Sequence, residues 1–206
     1  MARSTEKRKG SGRQTFAILV DGETEKWYLE QLRNTENPAG ITIKPDLPRK
    51  TKLEDQYLTV KDNADIYDLS IWIIDLDVVI RENKVSQLIT YLAAVKGNKK
   101  IQILINTPCL EYWFLQHVND CGKYFADCHA VMRELKKHAP LQEYSKSARY
   151  FIQTQPDIYQ RLKPYLNNGI SNARKRGAFD PVHPQKGKAE IYKLFEIPGL
   201  LPTLSR

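Results

Sequence analysis

Cysteine is scarce in this chain, and long apolar runs are missing altogether. Three cysteines in 206 residues, an odd number without regular spacing, exclude a disulfide framework and predict free thiols in a reducing cytoplasm. The common zinc patterns are missing too. His117, Cys121, Cys128 and His129 offer ligand types, but none of the short paired spacings of a zinc site, so packed thiols and ordinary histidines are expected. No apolar stretch approaches the roughly 20 residues that span a bilayer. Residues 1–13 lack an apolar h-region, so no secretory signal is expected there. No internal repeat and no long low-complexity tract is visible. What remains, with a hydrophobic fraction of 41%, three Trp and eleven Tyr, fits one folded globular unit.

The charge is plentiful but uneven. The net charge is +8, and it sits at the two ends of the chain. Arg3, Lys7, Arg8, Lys9 and Arg13 oppose only Glu6, and residues 161–193 carry eight Lys or Arg against Asp180 and Glu190. The centre is slightly acidic. Basic ends around an acidic centre suit a polyanion gripped on either side of a cation site, because Lys and Arg gain affinity by displacing counterions from phosphates. A solvated basic surface is the plain structural alternative.

Strands and helices alternate from the start. Gly10-Ser11-Gly12 within residues 1–13 reads as a flexible basic arm. Thr15 to Val20 reads as a buried strand, followed by the acidic turn Asp21-Gly22-Glu23-Thr24-Glu25 and a helix from about Glu25 to Asn34, capped by Thr24. A strand is predicted at Ile41 to Lys44 and a helix at Leu53 to Asn63. Ile71-Trp72-Ile73-Ile74-Asp75-Leu76-Asp77 reads as a strand buried on both faces. Helical spacing of Val85, Leu88, Ile89, Leu92 and Val95 precedes a strand at Ile101 to Ile105. Leu110, Trp113, Phe114, His117 and Val118 then mark an amphipathic helix with Thr107 as N-cap and Pro108 at its first position. Helices are predicted at Asp127–His138, Asp157–Asn167 and Gly187–Phe195, with a basic loop from Ala173 to Gly177. Alternation of this kind means an α/β fold, a largely parallel sheet flanked by helices, with a helical carboxyl-terminal extension.

The chemistry concentrates at predicted strand ends. At a strand's period of two, Asp75 and Asp77 point to one side, and two close carboxylates repel unless they stay hydrated, share a proton or hold a cation. Asp21 and Glu25 add two more carboxyl groups after an earlier strand, enough for one or two Mg²⁺ (or Mn²⁺) ions. The structural alternatives are a strand-ending turn for the first pair and helix-dipole complementation by Glu25 for the second. Glu111, in the first turn of its helix, reads either as a further site residue or as a dipole partner. Trp113 and Phe114 read as core. Arg174, Lys175, Arg176, Lys186 and Lys188 are the candidate phosphate contacts, with Tyr165 and Tyr192 as candidate stacking surfaces or core residues.

Three motifs in order carry a resemblance. Leu19-Val20-Asp21-Gly22-Glu23-Thr24-Glu25 followed by Ile74-Asp75-Leu76-Asp77 is similar to the Toprim pattern, and Asn106-Thr107-Pro108-Cys109-Leu110-Glu111-Tyr112-Trp113-Phe114-Leu115-Gln116-His117 resembles a segment of the RloB-like proteins. Those are Toprim-fold proteins of prokaryotic defence and restriction–modification loci. The match covers roughly residues 15–118, with an echo at Asn172-Ala173 and Asp180-Pro181. The resemblance implies a Toprim-like α/β domain over residues 14–120, beside the helical extension read over 121–206, and Mg²⁺-dependent phosphodiester hydrolysis of DNA or RNA by relation to OLD-type nucleases. It implies Asp21, Glu25, Asp75, Asp77 and Glu111 as catalytic residues and the first four as metal ligands. It also implies a nucleic-acid partner, with a homodimer or another defence-system protein such as an ATPase as further expectations. Asp21 stands where the pattern usually has Glu. One methylene fewer displaces the carboxylate by about 1.5 Å, and a shift of about 1 Å can slow catalysis on the order of 100-fold. The alternative is therefore a catalytically weak or inactive module that binds nucleic acid or a nucleotide signal as a sensor or adaptor.

Overall fold

The computed structural model describes residues 14–37, 41–49, 52–198 and 200–201; the arm expected over residues 1–13 lies outside them. Four parallel strands form the body of the sheet: β1 (Gln14–Leu19), β2 (Ile41–Asp46), β3 (Leu69–Asp75) and β4 (Ile101–Thr107), in the spatial order β2-β1-β3-β4. A short strand, β5 (Lys188–Ala189), adds to the free edge of β4 antiparallel, with Thr107 opposite Lys188. The connecting helices are α1 (Glu23–Glu36), α2 (Leu53–Ile66), α3 (Leu76–Arg81) and α4 (Val85–Ala94), and the rest are α5 (Leu110–Val118), α6 (Cys128–Leu135), α7 (Ile158–Leu162) and α8 (Leu166–Lys175). The expected α/β architecture, with a mostly parallel sheet and helices after it, is what the chain forms.

The period of two along the strands divides the core. Phe16, Ile18 and Val20 of the β1 segment, with Ile71 and Ile73 of β3, face a cluster that includes α1 and α5 to α8. Leu19, Trp72, Ile74, Ile103 and Ile105 face a smaller cluster with residues of α2, α3 and α4. Both faces of the central strands are thus dry, which is why β3 reads as continuous apolar sequence. Because β2 lies on one side of β1 and β3 on the other, the chain reverses direction across the sheet at β1/β3. The carboxyl ends at such a switch point open a crevice, the usual ligand position in open α/β sheets.

Several boundaries differ from expectation, and each difference matters for the site. β3 stops at Asp75, and Leu76–Arg81 is a helix, so Asp77 sits in a first helical turn rather than on the strand. The run Leu76 to Ile80 is apolar enough to suit either state, and a short apolar run does not discriminate between them. Thr107 is the last residue of β4, and the N-cap position of α5 belongs to Cys109. Helix α5 is not amphipathic: every residue from Leu110 to His117 is buried. The helical extension explains this, since Val131, Ile158 and Ile170 join Trp113 and Phe114 in the same cluster as Phe16, Ile18 and Ile71 of the sheet, so α5 is packed between the two. A helix covered on all sides lacks a polar face.

Gly22, not Thr24, occupies the N-cap position of α1. The stretch predicted as Asp157–Asn167 splits into α7 and the start of α8, with Pro164 in the turn between them. The expected basic loop is in part the end of α8, because Ala173 to Lys175 are helical. The expected last helix is the strand β5 followed by a 3-10 turn at Glu190–Glu196. Two of the three cysteines are not free thiols: Cys109 and Cys128 form a disulfide, leaving Cys121 free. Their separation of 19 residues has no spacing signature; tertiary packing of α6 on α5 brings them together. Among the described residues, no helix is long and apolar enough to cross a membrane.

Candidate functional site

Five carboxylates from three strand ends meet at the crevice. Asp21 and Glu25 follow β1, Asp75 ends β3 with Asp77 just beyond, and Glu111 lies in the first turn of α5 after β4. Glu25, Asp75 and Glu111 are buried, while Asp21 and Asp77 are half-buried. Backbone N–H groups hold two of them. The Leu110 N–H donates to Asp75 Oδ2 at 3.1 Å, and the Val78 N–H donates to Asp77 Oδ1 at 2.7 Å. Asn106, the partner of Asp75 in the β3/β4 register, reaches Asp75 Oδ1 with its amide at 3.4 Å. Glu25 folds back over the turn before α1, and the Thr24 hydroxyl donates to its carboxylate at 3.1 Å. Gly22 makes room for this: a Cβ there would lie 2.8 Å from Glu25 Oε2.

Burial and mutual repulsion make the cluster electrostatically expensive. Burial pushes Asp21 up to about 6, helped by the nearby charge of Asp77 and opposed by a hydrogen bond from Gln56. Burial likewise pushes Glu25 up to about 7, with Glu111 and Asp21 adding to the shift and Lys146 opposing it. Asp75 is held well above the usual carboxylate range by burial, then by Glu25, Glu111 and Asp21. Asp77 is also raised, mainly by burial. Close carboxylates in a low-dielectric crevice cannot all ionise without a compensating positive charge.

One such charge is built in. Lys146 Nζ lies 2.9 Å from Glu111 Oε1, and the Tyr144 hydroxyl donates to the same oxygen at 2.5 Å. Burial works against the lysine's charge, but Glu111, Asp75 and Glu25 outweigh it and raise Lys146 above its ordinary value. The other oxygen, Oε2, touches Cys128 Sγ at 2.9 Å. A bonded sulfur carries no proton, so this is a contact and not a hydrogen bond. Glu111 is therefore anchored on Tyr144 and Lys146 and is the carboxylate least free to take a metal. Cys109, Glu111 and Cys128 place one ligand atom each within 4.8 Å of one another. This group could hold a metal only with the disulfide reduced, because metal ligation needs thiolates.

The expected phosphate contacts are brought together in part. Lys175, Arg176, Lys186 and Lys188 line a cavity of about 630 Å³. Arg174 is not among its lining residues; it pairs with Glu196 at 2.5 Å. Lys175 and Arg176 both pair with Asp120, at 2.6 and 2.7 Å. Tyr124 and Gln185 form a shared wall between this cavity and one of about 230 Å³ that is lined by Asp77, Arg81, Thr107 and Pro108. Tyr192 is core, and Tyr165 is exposed but lines neither cavity. Among the described residues, neither His117 nor His129 belongs to a group of three or more side chains placed to hold a metal. The His117 ring is buried with Nδ1 2.9 Å from the Trp113 carbonyl oxygen, and burial pulls it down to about 4, so it stays neutral.

Sequence reasoning missed Lys146, Tyr144, Gln56 and Tyr124. Lys146 and Tyr144 lie more than thirty residues beyond the last acidic motif, in a segment without strand or helix periodicity. Only the tertiary placement of that segment over α5 brings them to the site. Compared with known proteins, residues 16–197 match the family model described as RloB-like protein. No curated protein and no solved structure matches the chain.

Proposed function

The chain belongs to the RloB-like family, and on that premise we propose that it is a divalent-cation-dependent nuclease of a defence or restriction system. Membership suggests the defence setting; the carboxylate cluster at the switch point supports the chemistry. Asp21, Glu25, Asp75 and Asp77 form an all-oxygen donor set, which fits a hard ion such as Mg²⁺. Their raised proton affinities favour the same reading, because a divalent cation supplies the charge that the cluster lacks. Mg²⁺ held there would polarise a phosphate oxygen and make a bound water more acidic.

The chain's own residues do the rest. Asp75 is fixed by the Leu110 N–H and cannot swing away, and Asp77 faces the smaller cavity, where a phosphodiester can approach. Glu111 does not act as a ligand in this scheme. It positions Lys146, whose ammonium group can offset negative charge growing on a phosphate. Lys175, Arg176, Lys186 and Lys188 bind phosphates flanking the scissile one.

A second reading keeps the fold and drops the chemistry. Lys146 already neutralises part of the cluster, and Asp21 is shorter than the Glu usual at that position. Both favour a sensor or adaptor that binds nucleic acid without cutting it. Labelled single- and double-stranded DNA and RNA, incubated with Mg²⁺, Mn²⁺ or EDTA, separate the two. Metal-dependent products that vanish in Asp75→Ala support the nuclease. Retardation of the probes with no products in any condition supports the adaptor.

A further inference from the structure

The cavity of about 630 Å³ has features beyond a general basic surface, and from them we infer that it is a nucleotide subsite: Lys186 and Lys188 hold a phosphate, and Tyr124 receives the base. Lys188 carries most of the argument. It begins β5, directly opposite Thr107, and is only 8% exposed. Its ammonium donates to the Arg176 carbonyl oxygen, and among the described residues no carboxylate lies within ion-pair distance of it. A lysine with most of its side chain buried and no counter-ion is held at a cost, and an incoming phosphate offsets that cost. Burial together with Lys186 and Arg176 pulls Lys188 below its ordinary value, although Asp180 and Glu190 oppose this from a distance.

The walls are close-packed and ready for a ligand. A Cβ on Gly187 would fall 2.6 Å from the Tyr112 ring, so the backbone at Gly187 lies directly against that side chain. Gly122 is the matching surface for the Arg176 guanidinium. Tyr124 is 56% exposed, a large aromatic surface facing the cavity. Stacking on such a ring is favourable for every base, because each has a π-face. The volume falls in the roughly 300–1,000 Å³ range of small-ligand sites.

The position matters as much as the chemistry. Tyr124 and Gln185 also line the neighbouring cavity that contains Asp77. In that cavity the buried Thr107 hydroxyl has no hydrogen-bond partner among the described residues. A nucleotide seated on Lys188 and Tyr124 thus places the next phosphate of a strand toward Asp77. This deepens the nuclease reading by naming how its substrate is held, and the strand source rests on that reading. Nucleotide binding itself does not, because it needs no metal.

The test is anisotropy of a labelled single-stranded oligonucleotide in EDTA, with unlabelled nucleoside, nucleoside monophosphate or oligonucleotide as competitors. Lys188→Met and Lys186→Met should each weaken probe binding about tenfold or more, the size expected for one lost charge-assisted contact. Tyr124→Ala should weaken it by a similar factor. Nucleoside should not compete. Competition by the monophosphate identifies a free nucleotide as a ligand, and competition by the oligonucleotide alone identifies a strand nucleotide. Unchanged binding in the Lys186→Met and Tyr124→Ala proteins overturns the inference even if Lys188→Met fails to fold. So does competition by nucleoside as strong as that by its phosphate. Cavity-dependent binding in EDTA, with no cleavage of the same oligonucleotide when Mg²⁺ or Mn²⁺ is supplied, would leave the subsite standing and refute the nuclease instead.

Discussion

Replacing Lys146 by Met should destabilise the protein by leaving Glu111 without its cation. The carboxylate is fully buried, whereas the lysine side chain remains 39% exposed. Removing one partner of a wholly buried pair costs about 3–5 kcal/mol. The lysine side chain is partly solvated, and Tyr144 still donates to Oε1, so the expected loss is smaller, about 2 kcal/mol. For a domain of this size that lowers Tm by roughly 4–8 °C. The second half of the prediction separates charge from packing. Adding Glu111→Gln to Lys146→Met removes the stranded charge and keeps a partner for Tyr144, so the double variant should recover most of the lost stability. Urea denaturation of wild type, both single variants and the double variant measures the coupling. If Lys146→Met is as stable as wild type, or if the double variant is no better than Lys146→Met, the account of Glu111 as a carboxylate balanced by Lys146 is wrong. Cleavage should be lost in Lys146→Met and should not return in the double variant, because restoring stability does not restore the ammonium group.

Two further outcomes follow from buried groups elsewhere. His117 is pulled from 6.5 to about 4, so the unfolded chain takes up a proton that the folded one refuses. Its contribution to stability is therefore complete above about pH 6.5 and is lost as pH falls toward 4, by roughly 3 kcal/mol. His117→Asn, which cannot titrate, should flatten that part of the pH–stability curve; the same slope in both proteins would contradict it. The disulfide between Cys109 and Cys128, 19 residues apart, should contribute about 3 kcal/mol through loop closure. Reductant should lower wild-type stability by about that amount and leave Cys128→Ser unaffected, whereas a wild type indifferent to reductant would argue against the bridge.

The alternation of strands and helices was legible because the central strands are apolar on both faces and each is punctuated by an acidic or glycine turn. The same punctuation marked Asp21, Glu25, Asp75 and Asp77. A strand's period of two predicts Asp77 on the same side as Asp75, and only the backbone reveals that a helix starts at Leu76. Glu111 was found by its motif but not its role, which depends on Lys146 and Tyr144 arriving from a segment without periodicity. The extension was legible as helical in α6 and α7 but not in α8 beyond Asn167, where Gly169 and the polar run around it hide the helical spacing. Its last piece was not, because Lys188-Ala189 becomes a strand only by lying beside β4. The pairing of Cys109 with Cys128 was hidden for the same reason: nothing local signals a contact made by packing.

The central claim is that the crevice at the ends of β1 and β3 holds a divalent cation. Calorimetric titration with Mg²⁺ or Mn²⁺ at about pH 8, above the value near 7 to which Glu25 is pushed, tests it most directly. Wild type should bind one or two ions, and Asp77→Asn, whose half-buried side chain can be exchanged without emptying the core, should lose that binding while keeping its Tm. Absence of binding in wild type, or equal binding in Asp77→Asn, would contradict the account.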